Sequence, residues 1–487
     1  MNDSDTPQLT ALQKLYHTHR EAALEELKTF LKFSSISADS AFKDDVKDCS
    51  LWLQDYISDM GFKVEIWESE GHHPVIFASS PDALPSAPVL LIYNHYDVQP
   101  VDPLDLWITP PFQPTERDGA IYARGAQDNK GQCFYVLQAL KILKEQHGSL
   151  PINIKLCIEG EEECGSAGLF KLLSQKEPEL KADYVAIVDL GIKSATEPSL
   201  TLGIRGILTM VVEVSGPKID LHSGSHGGLC YNPIHALVEI LAKTRDDTGK
   251  ITIPGFYENV ENLSQSEKAK LSFAFDEDLY AATFGSPATG GERQLPPLER
   301  NWLRPALEIN GISGGYTGNG FKTVIPAKAS AKLSCRLVPN QVPKQIGTLI
   351  ATYLKGLAPP GIDVSVTVSP GSGPAVRTPI DSVITNAFAE SFREVYQKEC
   401  VFIYEGASIP IAAALANTSK AEMILLGVGL TDDAIHSPNE RFSIDRLEKG
   451  CMVIARGIEL LAKALEKAPK SQSKTEDITL TGWVDDL

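Results

Sequence analysis

His95 and Asp97 stand two apart at the end of the apolar run Val89–Ile92, and four more acidic or imidazole groups lie in comparable places further on. These are Gln127-Asp128-Asn129, Glu159-Gly-Glu-Glu-Glu163, Val188-Asp189 and Asp432-Asp-Ala-Ile-His436. No one group makes a metal site. Together they supply three carboxylates, two imidazoles and a spare glutamate beside a ligand candidate. That inventory suits a two-metal hydrolase, in which each ion takes one His and one carboxylate of its own and one Asp bridges both. Singly, each residue has an ordinary explanation: a packed histidine, a strand-end carboxylate, a turn or helix cap for Asp128-Asn129, a solvated helix start for the Glu run. The conjunction argues otherwise, because several carboxylates gathered at one sheet edge repel unless cations neutralise them.

The elements that must position these side chains are legible as apolar runs. In open α/β sheets, ligands bind outside the carboxyl ends of the strands. Val89–Tyr93 reads as a buried strand closely followed by His95, and Ile152, Ile154, Leu156 and Ile158 alternate as a strand that ends at the Glu run. Tyr184–Val188 is closed by Asp189, and Met423–Val428 precedes His436. Asp128 differs, since it precedes the helical spacing Phe134, Leu137, Leu140, Ile142 and so belongs in a loop at a helix N-terminus. Further helices are expected at about Leu12–Lys32, Val383–Tyr396 and Ile444–Leu465.

A chain of 487 residues, 43% of them hydrophobic, can bury a large core in about two to four domains. The net charge of −18 argues against nucleic acid and against anionic membranes as partners. No apolar run approaches the roughly 20 residues of a spanning helix, and the start Met-Asn-Asp-Ser-Asp lacks the basic and apolar features of a signal peptide. The eight cysteines are scattered without a Cys-x-x-Cys, which points to a reducing cytoplasm. Helix and strand patterns alternate up to Leu202. The character changes after Gly203-Ile-Arg-Gly206, with a Gly- and Pro-rich stretch from Pro254 to Gly320, and the alternation returns near Thr378. The organisation expected is a first catalytic segment over 1–204, an inserted domain over 205–376, and a second catalytic segment over 377–487 with a polar tail from about Ala468. The inserted strand Ile207–Val214 is expected to need its edge covered. His17, His19, His72, His73 and His147 are expected to do nothing specific, and Cys164 is expected to be a packing residue.

The chain resembles the M20 metallopeptidases, a family that includes cytosolic dipeptidases of the carnosinase type, carboxypeptidase G2, succinyl-diaminopimelate desuccinylase and aminoacylase-1. The resemblance rests on His95-Tyr-Asp97, Arg124-Gly-Ala-Gln-Asp128-Asn-Lys-Gly131, Glu159-Gly-Glu-Glu-Glu163-Cys-Gly-Ser166, Asp220-Leu-His-Ser-Gly224, Arg336-Leu-Val-Pro-Asn340, Ser408-Ile-Pro410 and His436-Ser-Pro-Asn-Glu440. It implies an α/β fold: a two-metal catalytic domain with a mixed central sheet flanked by helices, interrupted by an α+β lid and dimerisation domain. It implies that His95 and Asp189 hold one metal, Glu163 and His436 the other, and that Asp128 bridges them. Asp97 would contact the His95 imidazole, and Glu162 would be the general base. His222 would reach the partner's site in a homodimer and stabilise the oxyanion, Arg336 would bind the substrate's C-terminal carboxylate, and Ser408 would line the same pocket. A cis peptide is implied between Asp128 and Asn129.

The activity implied is hydrolysis of the amide bond of dipeptides or very short peptides by metal-activated water. Zn²⁺ is the default metal, with Mn²⁺ or Co²⁺ able to serve at mixed N/O ligands. The alternatives are an N-acyl or N-carbamoyl amino acid amidohydrolase with the same site, and an inactive dimeric scaffold, which the filled metal and base positions disfavour. Three positions depart from the family pattern. Tyr404 stands where an arginine is common, Glu161 where an apolar residue is common, and Ala434-Ile435 where Gly-Ala is common.

Overall fold

A computed structural model describes residues 7–467 of the chain apart from 82, 83, 85, 86 and 370. The start of the chain and the polar tail expected from Ala468 lie outside the described residues. The rest divides into two compact units. One runs from the first helix to Leu202 and resumes over Thr378–Ile403 and from Ala414 onward; the other comprises Gly203–Arg377 and Tyr404–Ala413. Tyr404–Ala413, which the sequence reading leaves in the second catalytic segment, packs with the other unit.

The principal strands of the first unit are β1 (Lys63–Trp67), β2 (Val75–Ser79), β3 (Val89–His95), β4 (Asn153–Glu159), β5 (Tyr184–Gly191) and β6 (Ser199–Ile204). Those of the second are β7 (Gly206–Ser215), β8 (Ala306–Gly314), β9 (Lys328–Leu337) and β10 (Asp363–Val368), and β11 (Glu422–Gly429) returns to the first. The first unit's sheet runs β1-β2-β4-β3-β5-β11-β6. Its centre is parallel: β3 pairs with β4 and β5, and β5 with β11. Antiparallel pairs at β1/β2, β2/β4 and β11/β6 make the whole sheet mixed.

Strands covered on both faces read as continuous apolar runs, and from Leu90 onward β3 is buried throughout. The helices α1 (Pro7–Leu31), α2 (Lys43–Asp59), α3 (Lys130–His147), α7 (Val383–Tyr396) and α9 (Ile444–Lys467) flank this sheet. Helix α2 has helical spacing of its apolar residues, burying Val46, Cys49, Leu53 and Ile57 on one side. Helix α3 begins directly after the Asp128 loop. A Cβ at Gly131 would lie 1.9 Å from Ala126 O, so only glycine lets that loop fold back on the first turn. Parallel pairing aligns the strand ends: His95 sits opposite Glu159 in the register, and Val188 opposite Leu426.

The second unit contains the antiparallel sheet β8-β9-β7-β10, with helices α5 (Pro233–Ala242) and α6 (Pro343–Gly356) contributing to one shared core. Leu208, Met210, Val212 and Val214 of β7 enter that core, and the residues between them are less buried. Strand β7 pairs with β9 on one side and β10 on the other. The expectation that Ile207–Val214 presents an uncovered edge is therefore corrected: the edges belong to β8 and β10.

Candidate metal centre

The carboxyl ends of β3, β4, β5 and β11 deliver the polar residues to one place. His95 is the last residue of β3 and is fully buried. Its Nδ1 lies 3.1 Å from Asp97 O and 3.2 Å from Asp97 Oδ1. That contact turns Nε2 the other way, to 3.2 Å from Asp128 Oδ1 and 3.6 Å from Asp189 Oδ1. Asp128 sends its other oxygen, Oδ2, to within 2.9 Å of His436 Nε2, and the same nitrogen is 3.2 Å from Glu163 Oε2. Two triads result, His95–Asp128–Asp189 and Asp128–Glu163–His436, each with donor atoms close enough to hold one ion. They share Asp128.

The charges fit a site built for cations. Burial above all, with neighbouring carboxylates adding to it and the histidines opposing it, pushes Asp189, Glu162 and Glu163 above the ordinary carboxylate range. Burial acts on Asp128 in the same sense, but hydrogen bonding to His436 and His95 outweighs it and holds Asp128 low. Burial opposes a charge on His95, yet Asp189, Asp128 and Asp97 overcome it and raise the imidazole well above its usual value. Glu163 Oε1 is buried without a hydrogen-bond partner. An orphaned carboxylate oxygen beside a histidine, with a second carboxylate across from it, suits a metal ligand. The mixed N/O donors fit a divalent ion such as zinc.

Other residues hold these ligands. Asp97 Oδ1 accepts from Glu162 N at 3.2 Å and Oδ2 from Glu163 N at 3.1 Å, while Ser37 Oγ donates to Oδ2 at 2.6 Å. Asn129 donates to Asp189 Oδ1 at 2.6 Å and accepts from Asn94 at 2.7 Å. Gln99 donates to Glu163 Oε2 at 2.7 Å. Glu440 is fully buried and gathers the Asp128 loop, accepting from Arg124, Gly125 N, Gln127 N and Asp128 N at 2.8–3.0 Å. The Asp128–Asn129 peptide is cis.

Sequence reasoning missed Ser37, Asn94 and Gln99, and quoted Glu440 and Asn129 without giving them tasks. Acidity and position in the His436-Ser-Pro-Asn-Glu440 motif were the only signals for Glu440. Two expectations are corrected here. The His72 ring faces Glu161 through Nδ1, and His73 donates to Glu161 with its main-chain N–H while its ring Nε2 lies 3.3 Å from Ser37 O. Cys164 is exposed rather than packed, its thiol toward Glu161 O. His17, His19 and His147 make exposed pairs with Glu448, Glu145 and Glu459.

The remaining candidates belong to the second unit. Arg336 on β9 donates from Nη1 to Ser408 Oγ at 2.7 Å. Arg205 lies near it in charge: burial, and then the charge of Arg336, lowers the Arg205 guanidinium to about 10. Arg205 donates to Gly406 O at 2.9 Å and its main-chain N–H to Ala407 O at 3.0 Å, so it holds the loop that carries Ser408. His222 is exposed, and its Nδ1 accepts from Gly224 N and Ser225 N at 3.0 and 3.3 Å. In the neutral ring the proton therefore sits on Nε2, which is left as a donor.

The sequence model of peptidase family M20/M25/M40 matches residues 91–460. The Cys-Gly metallodipeptidase of Candida albicans is 30% identical over 95% of this chain and 100% of its own length. The human Beta-Ala-His dipeptidase is 31% identical over 76% of this chain and 74% of its own. Among solved structures, the M20 family metallo-carboxypeptidase Sso-CP2 from Sulfolobus solfataricus superposes with a TM-score of 0.80 at 31% identity, covering 91% of this chain and 99% of that one.

Proposed function

This chain belongs to peptidase family M20/M25/M40, and from that premise we propose a two-metal peptidase that hydrolyses dipeptides or very short peptides with a free C-terminal carboxylate. The observation that carries the reading is Asp128, whose two oxygens face two different imidazoles, each accompanied by a carboxylate of its own. His95, Asp128 and Asp189 would hold one divalent ion, and Asp128, Glu163 and His436 the other; zinc is the ion we favour, with manganese or cobalt as substitutes. Ions bound there would lower the pKa of water and polarise the scissile carbonyl.

The chain's own residues do the rest. Glu162 takes a proton from the attacking water and returns it to the leaving amine. Asp97 orients the His95 ring and, through two main-chain N–H groups, the turn that carries Glu162 and Glu163. Arg336 grips the substrate carboxylate, with Ser408 Oγ set beside it. His222, with its proton on Nε2, donates to the oxyanion in the site of a second copy. The second unit is the dimerisation surface: it exposes Ile219, Leu229, Ile312 and Phe321, an apolar set that a partner copy would cover. No helix among the described residues is long and apolar enough to cross a membrane. Eight free thiols suit a reducing compartment, and we place the activity in the cytoplasm.

The test is a panel of free dipeptides assayed with zinc, manganese or cobalt beside N-acetyl and N-carbamoyl amino acids. Preferential turnover of the free dipeptides is the expected result. Faster turnover of the acylated or carbamoylated substrates would replace the peptidase reading with an amidohydrolase one.

A further inference from the structure

We propose that Glu161 is a positioning residue for the metal centre, fixing from behind the turn that presents Glu162 and Glu163. The residue is only 6% exposed. Oε1 accepts from His73 N at 2.9 Å and Oε2 from Gly168 N at 2.7 Å. His72 Nδ1 lies 3.2 and 3.1 Å from the two oxygens. The far nitrogen of that ring, Nε2, is 2.9 Å from Lys171 Nζ. An ammonium only donates, so Nε2 accepts and Nδ1 carries the proton that goes to Glu161. Three donors thus converge on one buried carboxylate. Gly168 makes room for it, since a Cβ there would stand 2.7 Å from Glu161 Oε2.

The same residue closes the turn through its main chain, Glu161 O accepting from Cys164 N at 3.2 Å and Ser166 N at 2.7 Å. From the other side, Asp97 takes the N–H groups of Glu162 and Glu163. The turn is held at both flanks, and it carries Glu162 and Glu163, the latter with Oε2 3.2 Å from His436 Nε2. An apolar residue at this place would accept nothing from His73 N or Gly168 N, so the clamp depends on the carboxylate itself. Glu161 touches no ligand side chain: it acts through the backbone.

Glu161→Gln keeps the size but leaves one acceptor oxygen for two main-chain donors and points an amide NH₂ at the other. Calorimetric titration of the metal-free protein with Zn²⁺ should show one of the two equivalents, that of Glu163 and His436, weakened about 10- to 100-fold. The other equivalent and the unfolding temperature of the metal-free protein should stay as in wild type. On dipeptides kcat should fall with KM unchanged. His72→Ala keeps both main-chain bonds, and should weaken the same equivalent to a smaller extent. Equal weakening of both equivalents with a lower unfolding temperature would mean a general structural role and overturn the proposal, as would titrations of both variants that superpose on wild type. The inference rests on the two-metal reading. Fewer than two equivalents in wild type would overturn both; two in wild type and no selective change in Glu161→Gln would overturn this one alone.

Discussion

In the proposed mechanism Asp128 and Glu162 divide the work of the centre between holding and reacting. Asp128 turns Oδ1 to His95 and Oδ2 to His436, so Asp128→Ala should release both metals together, read as zero rather than one equivalent by elemental analysis after dialysis. Retention of two would remove the bridging role. Glu162 belongs to neither triad, so Glu162→Gln should keep both metals and lose about 100- to 10,000-fold in kcat, the usual worth of a general base. If the Glu162 variant lost metal while a Glu163 variant kept it, the assignment within the three glutamates would be reversed. Arg336→Lys exchanges a fork of donors for a point charge, and should raise KM for free dipeptides about ten-fold or more. The same peptides with amidated C-termini should show little change, because they present no carboxylate. An equal loss on both would make Arg336 structural.

The strand ends bring the polar residues of the site together. Strand β4 closes on Glu159, whose buried carboxyl accepts from Tyr93 Oη at 2.6 Å and Ser166 Oγ at 2.9 Å. Burial, with help from the Asp97 charge, pushes it from 4.5 up to about 8. The neutral acid is favoured in the fold, so between those values the native state holds a proton that the unfolded chain has lost. Stability contributed by Glu159 is full below 4.5 and declines as pH rises toward 8. Glu159→Gln mimics the neutral acid, and denaturant unfolding of the metal-free variant should lose that part of the decline relative to wild type. Parallel curves would show that Glu159 is ionised in the fold. Strand ends were also what the sequence displayed best. Val383–Tyr396 falls where its pattern ends, and the polar groups of the site stand where the apolar runs stop. Contacts between distant loops were not legible. Glu440 receives N–H groups from residues more than 300 positions away, and nothing local to Glu440 announces that. Nor does the alternation within β7 say which strands flank it, which is why an interior strand read as an edge.

For the whole molecule, the second unit raises the question of what it meets. If a second copy contributes the oxyanion donor, as we propose, neither chain is complete alone. His222→Ala and Glu162→Gln chains should each be nearly inactive; mixed and allowed to exchange, they should recover up to about a quarter of wild-type activity, since half the dimers are mixed and each has one intact site. No recovery, with heterodimers demonstrated by native mass spectrometry, would confine His222 to its own subunit or to no role. The division into two units was visible as a change of composition near Gly203–Gly206 and Thr378, whereas the membership of Tyr404–Ala413 depends on tertiary packing and carries no compositional mark. The central claim, a peptidase that works through two ions on a shared aspartate, is tested most directly by adding Zn²⁺ stepwise to the metal-free protein while following both bound metal and dipeptide hydrolysis. Two equivalents per chain should bind, and hydrolysis should rise to its limit only as the second is filled. Full hydrolysis at one equivalent, or without metal, would contradict it.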